Sequence, residues 1–257
     1  MLIESISQWP SSLAMWQDIF NAPSGADLVK IIMRWSHFVA GITWIGMLYF
    51  FNLVNVNFMK ALDAPTKKIV VPELMPKALW YFRWGAVFTV LAGLGYYAMY
   101  ILRGDATNAG ANLWVILLVW MLIGIVAWAI YNFGLLGPLS KDGRILGVAV
   151  AILAILMSIV IVWWLDSRLT AAGNHWASNK TLSIGIGGAL GLIMLLNVWG
   201  IIWPAQKRII AATREGTPPP ADLARRAFLA SRTNTWLSLP MLFFMATSHG
   251  DWVILGK

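Results

Sequence analysis

The sequence predicts an all-α fold: a polytopic membrane bundle of about six transmembrane helices with short interfacial helices, forming one integral membrane domain over residues 1–257. Three observations carry that expectation. Only 12% of the 257 residues are charged and 59% are hydrophobic, whereas a soluble globular chain is about 25% charged. Apolar runs of about 20 residues, the length that crosses a bilayer, recur along the chain. The basic residues fall mainly in the links between those runs, which is topogenic patterning and argues against nucleic acid as a partner despite a net charge of +8.

Residues 1–26 lack the basic start and small-residue cleavage site of a signal peptide, and read as an interfacial segment with a short helix over 11–22. Six spans follow, at 28–57, 80–102, 113–136, 145–166, 181–203 and 235–254. The links at 103–112, 137–144 and 167–180 are short and rich in Gly, Asn and Ser, as turns should be. Residues 58–79 and 204–234 are longer, basic and punctuated by proline. The second reads as a basic cytoplasmic linker, with ADLARRAFLASR as an amphipathic helix on the membrane surface.

Charge sets the orientation. The N-terminal side of the membrane holds Lys30, Arg34, Arg103, Arg168, Lys180 and Lys257, and the other 13 of the 19 basic residues lie on the far side. The positive-inside rule puts that far side in the cytoplasm and both termini in the periplasm of a bacterial inner membrane. Nine of the sixteen tryptophans, among them Trp35, Trp84, Trp199, Trp203 and Trp252, fall near span ends and read as an interfacial belt. Stacking against a cofactor or a lipid-like partner is the other reading.

The chain has no cysteine, which excludes disulfides, thiolate chemistry, iron–sulfur clusters and covalently attached c-type haem. It has three histidines. His175 sits in an external loop and reads as solvated. His37 lies about nine residues into the first span and His249 about eight from the C-terminus, so six crossings bring both to similar depth near the outer leaflet. Two imidazoles at matched depth are what a bis-histidine b-type haem iron requires, and Arg34, one turn from His37, could pair with a propionate. The plain alternative is that each histidine hydrogen-bonds a Ser, a Thr or a backbone carbonyl. Lys30, Arg34, His37, Gly41 and Trp44 share one face of the first span. Asn52, Asn132, Asn197 and Asn234 read as interhelical hydrogen bonders. Gly187 and Gly191 give a GxxxG spacing that reads as tight helix packing. No carboxylate lies deep in a span, and no catalytic residue is identified.

Four stretches resemble one family, the bacterial membrane-bound urate hydroxylases: RWSHFVAGITWIGMLYFFN (34–52), WYFRWGAVFTVLAG (80–93), GGALGLIMLLNVWGIIWPAQKRIIAATREGTPPP (187–220) and NTWLSLPMLFFMATSH (234–249). The resemblance implies a helical membrane domain, in that family usually followed by a periplasmic c-type cytochrome that takes the electrons. No such domain follows here up to Lys257. It also implies further histidines in relatives where this chain has Leu79, Gly185 and Thr233, with only His37 and His249 retained.

Three functions are compatible with these features. The first is an accessory, structural subunit of a larger respiratory or photosynthetic electron-transfer complex, surrounded by lipid and other subunits. The second is a haem b subunit, with His37 and His249 as iron ligands and Arg34 beside them, passing electrons to a periplasmic cytochrome c. The third is urate-type oxidation. Whether the chain is an enzyme is left open.

Overall fold

The computed structural model describes residues 23–249 and 252–256. The helix expected at 11–22, and most of the interfacial segment 1–26, lie outside the described residues. Six long helices run back and forth in the order expected: α1 Gly25–Ala61, α2 Ala64–Asn108, α3 Leu113–Leu135, α4 Gly143–Arg168, α5 Asn179–Glu215 and α6 Ala221–Thr247. The first five are long and apolar enough to cross a membrane. The first turns of α6 carry Arg225, Arg226 and Arg232 and its apolar run begins only later. The chain is a multi-pass membrane protein.

Polar side chains fix the helix starts by satisfying the orphan N–H groups of the first turn. Ser24 caps α1, Asp63 accepts from Thr66 N in α2, Asn112 and Asp142 each accept two N–H groups at the starts of α3 and α4, and Ser178 caps α5. Thr170–Ala171 (β1) and Asn174–His175 (β2) pair antiparallel between α4 and α5. Ala172 and Gly173, both at positive φ, make that tight turn. His175 is not merely solvated: its Nδ1 lies 2.9 Å from Asp166, tying the hairpin to the end of α4.

Two expectations are corrected. Residues 204–234 are not an irregular linker carrying a separate surface helix. Helix α5 runs on to Glu215, Gly216 closes it in the left-handed conformation at φ 76°, and α6 begins at Ala221 after Pro218–Pro220. ADLARRAFLASR is the first part of α6, with Ala227, Leu229 and Ala230 buried in the bundle. Residues 58–79 are likewise mostly helical, and α2 passes through Pro72 and Pro76 without ending.

Four helices contain a π turn, at Phe50–Asn55, Tyr97–Leu102, Ile130–Leu135 and Val198–Ile202. The last has a clear cause. Pro204 lacks the N–H that would bond Gly200 O and its ring crowds that carbonyl, so a widened turn before it relieves the clash. These turns coincide with a buried polar layer. Trp128 Nε1 donates to Asn197 Oδ1, Asn197 Nδ2 to Asn234 Oδ1, and Asn234 Nδ2 to Met194 O. Asn52 donates to Ser231 Oγ, and Arg226 to Asn132 Oδ1. The in-span asparagines thus tie α3, α5 and α6 together, and α1 to α6.

Helix α5 is the pillar. A Cβ at Gly187 would lie 3.1 Å from Met241 O of α6, and one at Gly188 3.1 Å from the Trp120 ring of α3, so the glycines admit both neighbours. Gly191, the second member of the expected pair, faces open space.

Candidate functional site

The polar stripe of α1 faces α2 at Trp44, Gly41, His37 and Lys30. A Cβ at Gly85 would lie 3.3 Å from Trp44 N, and one at Gly41 3.6 Å from Thr89 Cγ2. Farther along, Lys30 Nζ lies 5.8 Å from the centre of the Tyr100 ring. Between these sits His37. Its Nδ1 is 2.8 Å from Thr89 O, and since a carbonyl only accepts, Nδ1 carries the proton and Nε2 is left as a lone pair. Gly93 makes this seat possible: a Cβ there would lie 2.6 Å from His37 Nδ1 and 2.7 Å from Cε1. Arg34 is exposed and rests on the Phe38 ring, 5.9 Å from its centre.

His249 follows the end of α6. Ser248 Oγ donates to Met245 O at 2.7 Å, so its oxygen is free to accept from His249 Nδ1, also 2.7 Å away. Met245 O lies 3.3 Å from the same nitrogen. His249 therefore shares the tautomer of His37, proton on Nδ1 and lone pair on Nε2. Each histidine also makes the ordinary interior hydrogen bond that the plain alternative expects.

A register contact relates the two. Tyr49 Oη of α1 meets Ser238 Oγ of α6 at 3.0 Å. His37 is 12 residues from Tyr49 and His249 is 11 from Ser238, displacements of about 18 and 16 Å along antiparallel helices. The depths match. Arg34 and His37 on α1, Lys180 at the start of α5 and the segment carrying His249 after α6 thus all fall at the same end of the bundle.

Asn179, at the start of α5, builds that end, and sequence reasoning missed it. Its Nδ2 donates to Thr247 O and Trp252 O, while its Oδ1 accepts from Ile254 N, Leu255 N and Ser183 Oγ. One amide thereby holds the segment on either side of His249. Thr89 and Gly93 were missed too, although a Thr and a Gly four apart on an apolar helix are the signal of a close approach.

The residues present fit a haem iron in two respects: both free ring nitrogens are Nε2, and each Nδ1–H is held by an oxygen as ligating histidines require. Arg34 and Lys180 would be the cations available to its carboxylates. Among the described residues, no group of three or more His, Asp or Glu stands ready for a bare metal ion.

The three positions at which the resemblance implies further histidines are packed, and they lie at different depths: Gly185 faces Tyr97, which is 18 residues along α2 from Leu79. A Cβ at Gly185 would lie 2.6 Å from Leu165 Cδ1 and 3.4 Å from both Ile161 Cγ2 and Tyr97 Oη. Trp120 Nε1 donates to Gly185 O at 2.8 Å, and Tyr97 Oη to Thr181 O at 3.0 Å. Leu79 is 3% exposed, and Thr233, 8% exposed, accepts from Tyr131 Oη. Cavities of about 320 and 280 Å³ do exist, one beside Arg103 and Trp114, the other beside Asp105 and His175. Both sit at the end of the bundle that holds the hairpin.

The family model described as urate oxidase N-terminal matches residues 62–255. That range includes three of the four stretches of resemblance, together with His249. It begins after α1, so His37 and Arg34 lie outside it. No curated protein and no solved structure matches the chain.

Proposed function

Since the chain belongs to the urate oxidase N-terminal family, we propose that it is an accessory membrane subunit of a larger bacterial electron-transfer complex, respiratory or photosynthetic, in which positions that carry histidines in relatives are taken over by packing. The observation that carries this is the closure at Gly185. A histidine at 185, as the resemblance implies for relatives, would press its Cβ on Leu165 Cδ1, with Ile161 and the Tyr97 hydroxyl already at contact distance. Leu79 and Thr233 support the same reading. The first is a buried aliphatic group, and the hydroxyl of the second is engaged by Tyr131. What remains at these three positions is packing and one hydrogen bond, with no acid, base or nucleophile aimed at a chamber.

The charge distribution supports an inner-membrane location with the basic end in the cytoplasm and both termini in the periplasm. A subunit so placed would offer neighbouring subunits its many lipid-facing aromatic and aliphatic side chains, such as Trp35, Phe38 and Ile42 of α1. The test is urate turnover by the purified chain with a cytochrome c acceptor. The expected result is none above a protein-free control. Sustained turnover abolished by His249→Ala would overturn the accessory reading.

A second reading rests on the matched depth and shared tautomer of His37 and His249. These two would hold the iron of one b-type haem, with Arg34 and Lys180 as the cations available to its carboxylates. The haem would supply one-electron transfer near the outer membrane surface to a periplasmic cytochrome c. Thr89 and Ser248 would then orient the imidazoles, and Gly93 would leave His37 room to present Nε2. A reduced-minus-oxidised spectrum with a b-type α-band that disappears in both His37→Ala and His249→Ala is the expected signature. A colourless protein ends this reading.

A further inference from the structure

At the opposite end of the bundle, the basic one, α2 and α5 gather aromatic rings around a single cation. The guanidinium carbon of Arg83 lies 3.7 Å from the centre of the Trp203 ring and 5.8 Å from that of Trp199. Lys207 Nζ, one turn farther out, lies 5.5 Å from the same Trp203 ring. Trp84 meets Trp199 edge-on at 5.5 Å, and Trp199 Nε1 donates to Arg83 O at 3.3 Å, which fixes the two helices here. The stack is rigid and placed where α2 and α5 leave their apolar runs.

Its cation is unmet. A guanidinium carries five N–H donors, yet among the described residues Arg83 donates no hydrogen bond, and its Nε is shut away from solvent without a partner. No carboxylate answers it: the ion pairs among the described residues are Lys77–Glu73 and His175–Asp166. An arginine seated over an indole at 3.7 Å has its planar donor fork anchored there, and that fork can take two oxygens of a phosphate at once. Lys207, exposed and on the outward side, adds a second positive charge.

We propose that Arg83 and Lys207, on the platform of Trp203, form a binding site for the phosphate of an anionic phospholipid headgroup. The depth favours lipid over a free anion. Tryptophan rings concentrate at the headgroup level, and Trp80 and Tyr81 beside Arg83 are exposed as lipid-facing side chains are. Basic pockets between transmembrane helices recognise such headgroups. Two unneutralised cations also select a net negative headgroup over a zwitterionic one.

Native mass spectrometry of the full chain in detergent, with equal phosphatidylglycerol and phosphatidylcholine, tests this. The expected result is retention of phosphatidylglycerol by about 25-fold over phosphatidylcholine, with each of the two cations near the surface contributing about fivefold. Lys207→Gln, an exposed change that leaves the packing intact, should lower the preference about fivefold. Arg83→Lys, which keeps charge but loses the planar edge, should weaken retention of both lipids while leaving the preference largely in place, and the thermal midpoint confirms folding. Inorganic phosphate in excess should not displace the lipid. Equal retention in wild type and Lys207→Gln, or displacement by inorganic phosphate, overturns the proposal.

Discussion

Helices α5 and α1 are both long, apolar and interrupted by a π turn, yet they are used in opposite ways. Two thirds of the most apolar window of α5 is buried (67%), against 28% of that of α1. Helix α5 touches neighbours on every side and reaches them through glycines. Helix α1 leans on α2 through one stripe and turns Ile32, Trp35, Val39 and Ile42 outward. The consequence is functional. Where α5 is closely packed at Gly185 and Gly187 an added side chain meets its neighbours at once, and where α1 leans on α2 His37 keeps a free ring nitrogen.

That contrast predicts a gradient of mutational cost. The largest effect belongs to Asn179→Ala at the start of α5, which strands two carbonyls and two N–H groups together. Thermal or denaturant unfolding in detergent should show a loss of about 3 kcal/mol, and protease should cut near Trp252 first. A change under about 0.5 kcal/mol would mean that the C-terminal segment is held by something else.

Next comes Gly185→Leu, which forces a side chain against Leu165 and Tyr97 and should cost about 2 kcal/mol by overpacking. If it unfolds no more easily than wild type, the centre has slack and the closure argument fails. Gly93→Ala tests the α1 side. It should displace the His37 ring from Thr89 O at a cost of about 1 kcal/mol, visible as a changed His37 ring signal in NMR with the fold retained. Equal costs at 185 and 93 would erase the contrast between the helices.

The smallest effect lies between α1 and α2. The Thr66 hydroxyl and then the Thr66 N–H hold the Asp63 carboxyl below its usual range. A depressed carboxyl stabilises the fold above its ordinary value, and that contribution is lost as pH falls through the lower folded value. The difference in thermal midpoint between wild type and Asp63→Ala should therefore be constant from neutral pH down to about 4 and shrink below that. A difference that grows on acidification would contradict the cap.

Much of this was legible in the sequence because the bilayer permits few solutions. Runs of about 20 apolar residues must be helices. The equal depth of His37 and His249 followed from counting crossings. What sequence reasoning missed involves prolines and partners. Pro72, Pro76 and Pro204 read as breaks, but neighbouring helices and a π turn carry the helix through them. ADLARRAFLASR read as a surface helix because its arginines are conspicuous, while the small residues Ala227 and Ala230 that bury it are not. Asn179 could not be singled out, since its role comes from the segment around Thr247 and Trp252, about 70 residues away.

The most direct test of the central claim is gentle purification of the chain from its own membranes, with every co-purifying subunit counted by native mass. An accessory subunit arrives in fixed stoichiometry with larger redox subunits, and the isolated complex oxidises no urate. A chain that emerges alone and turns over urate would contradict the account at its root.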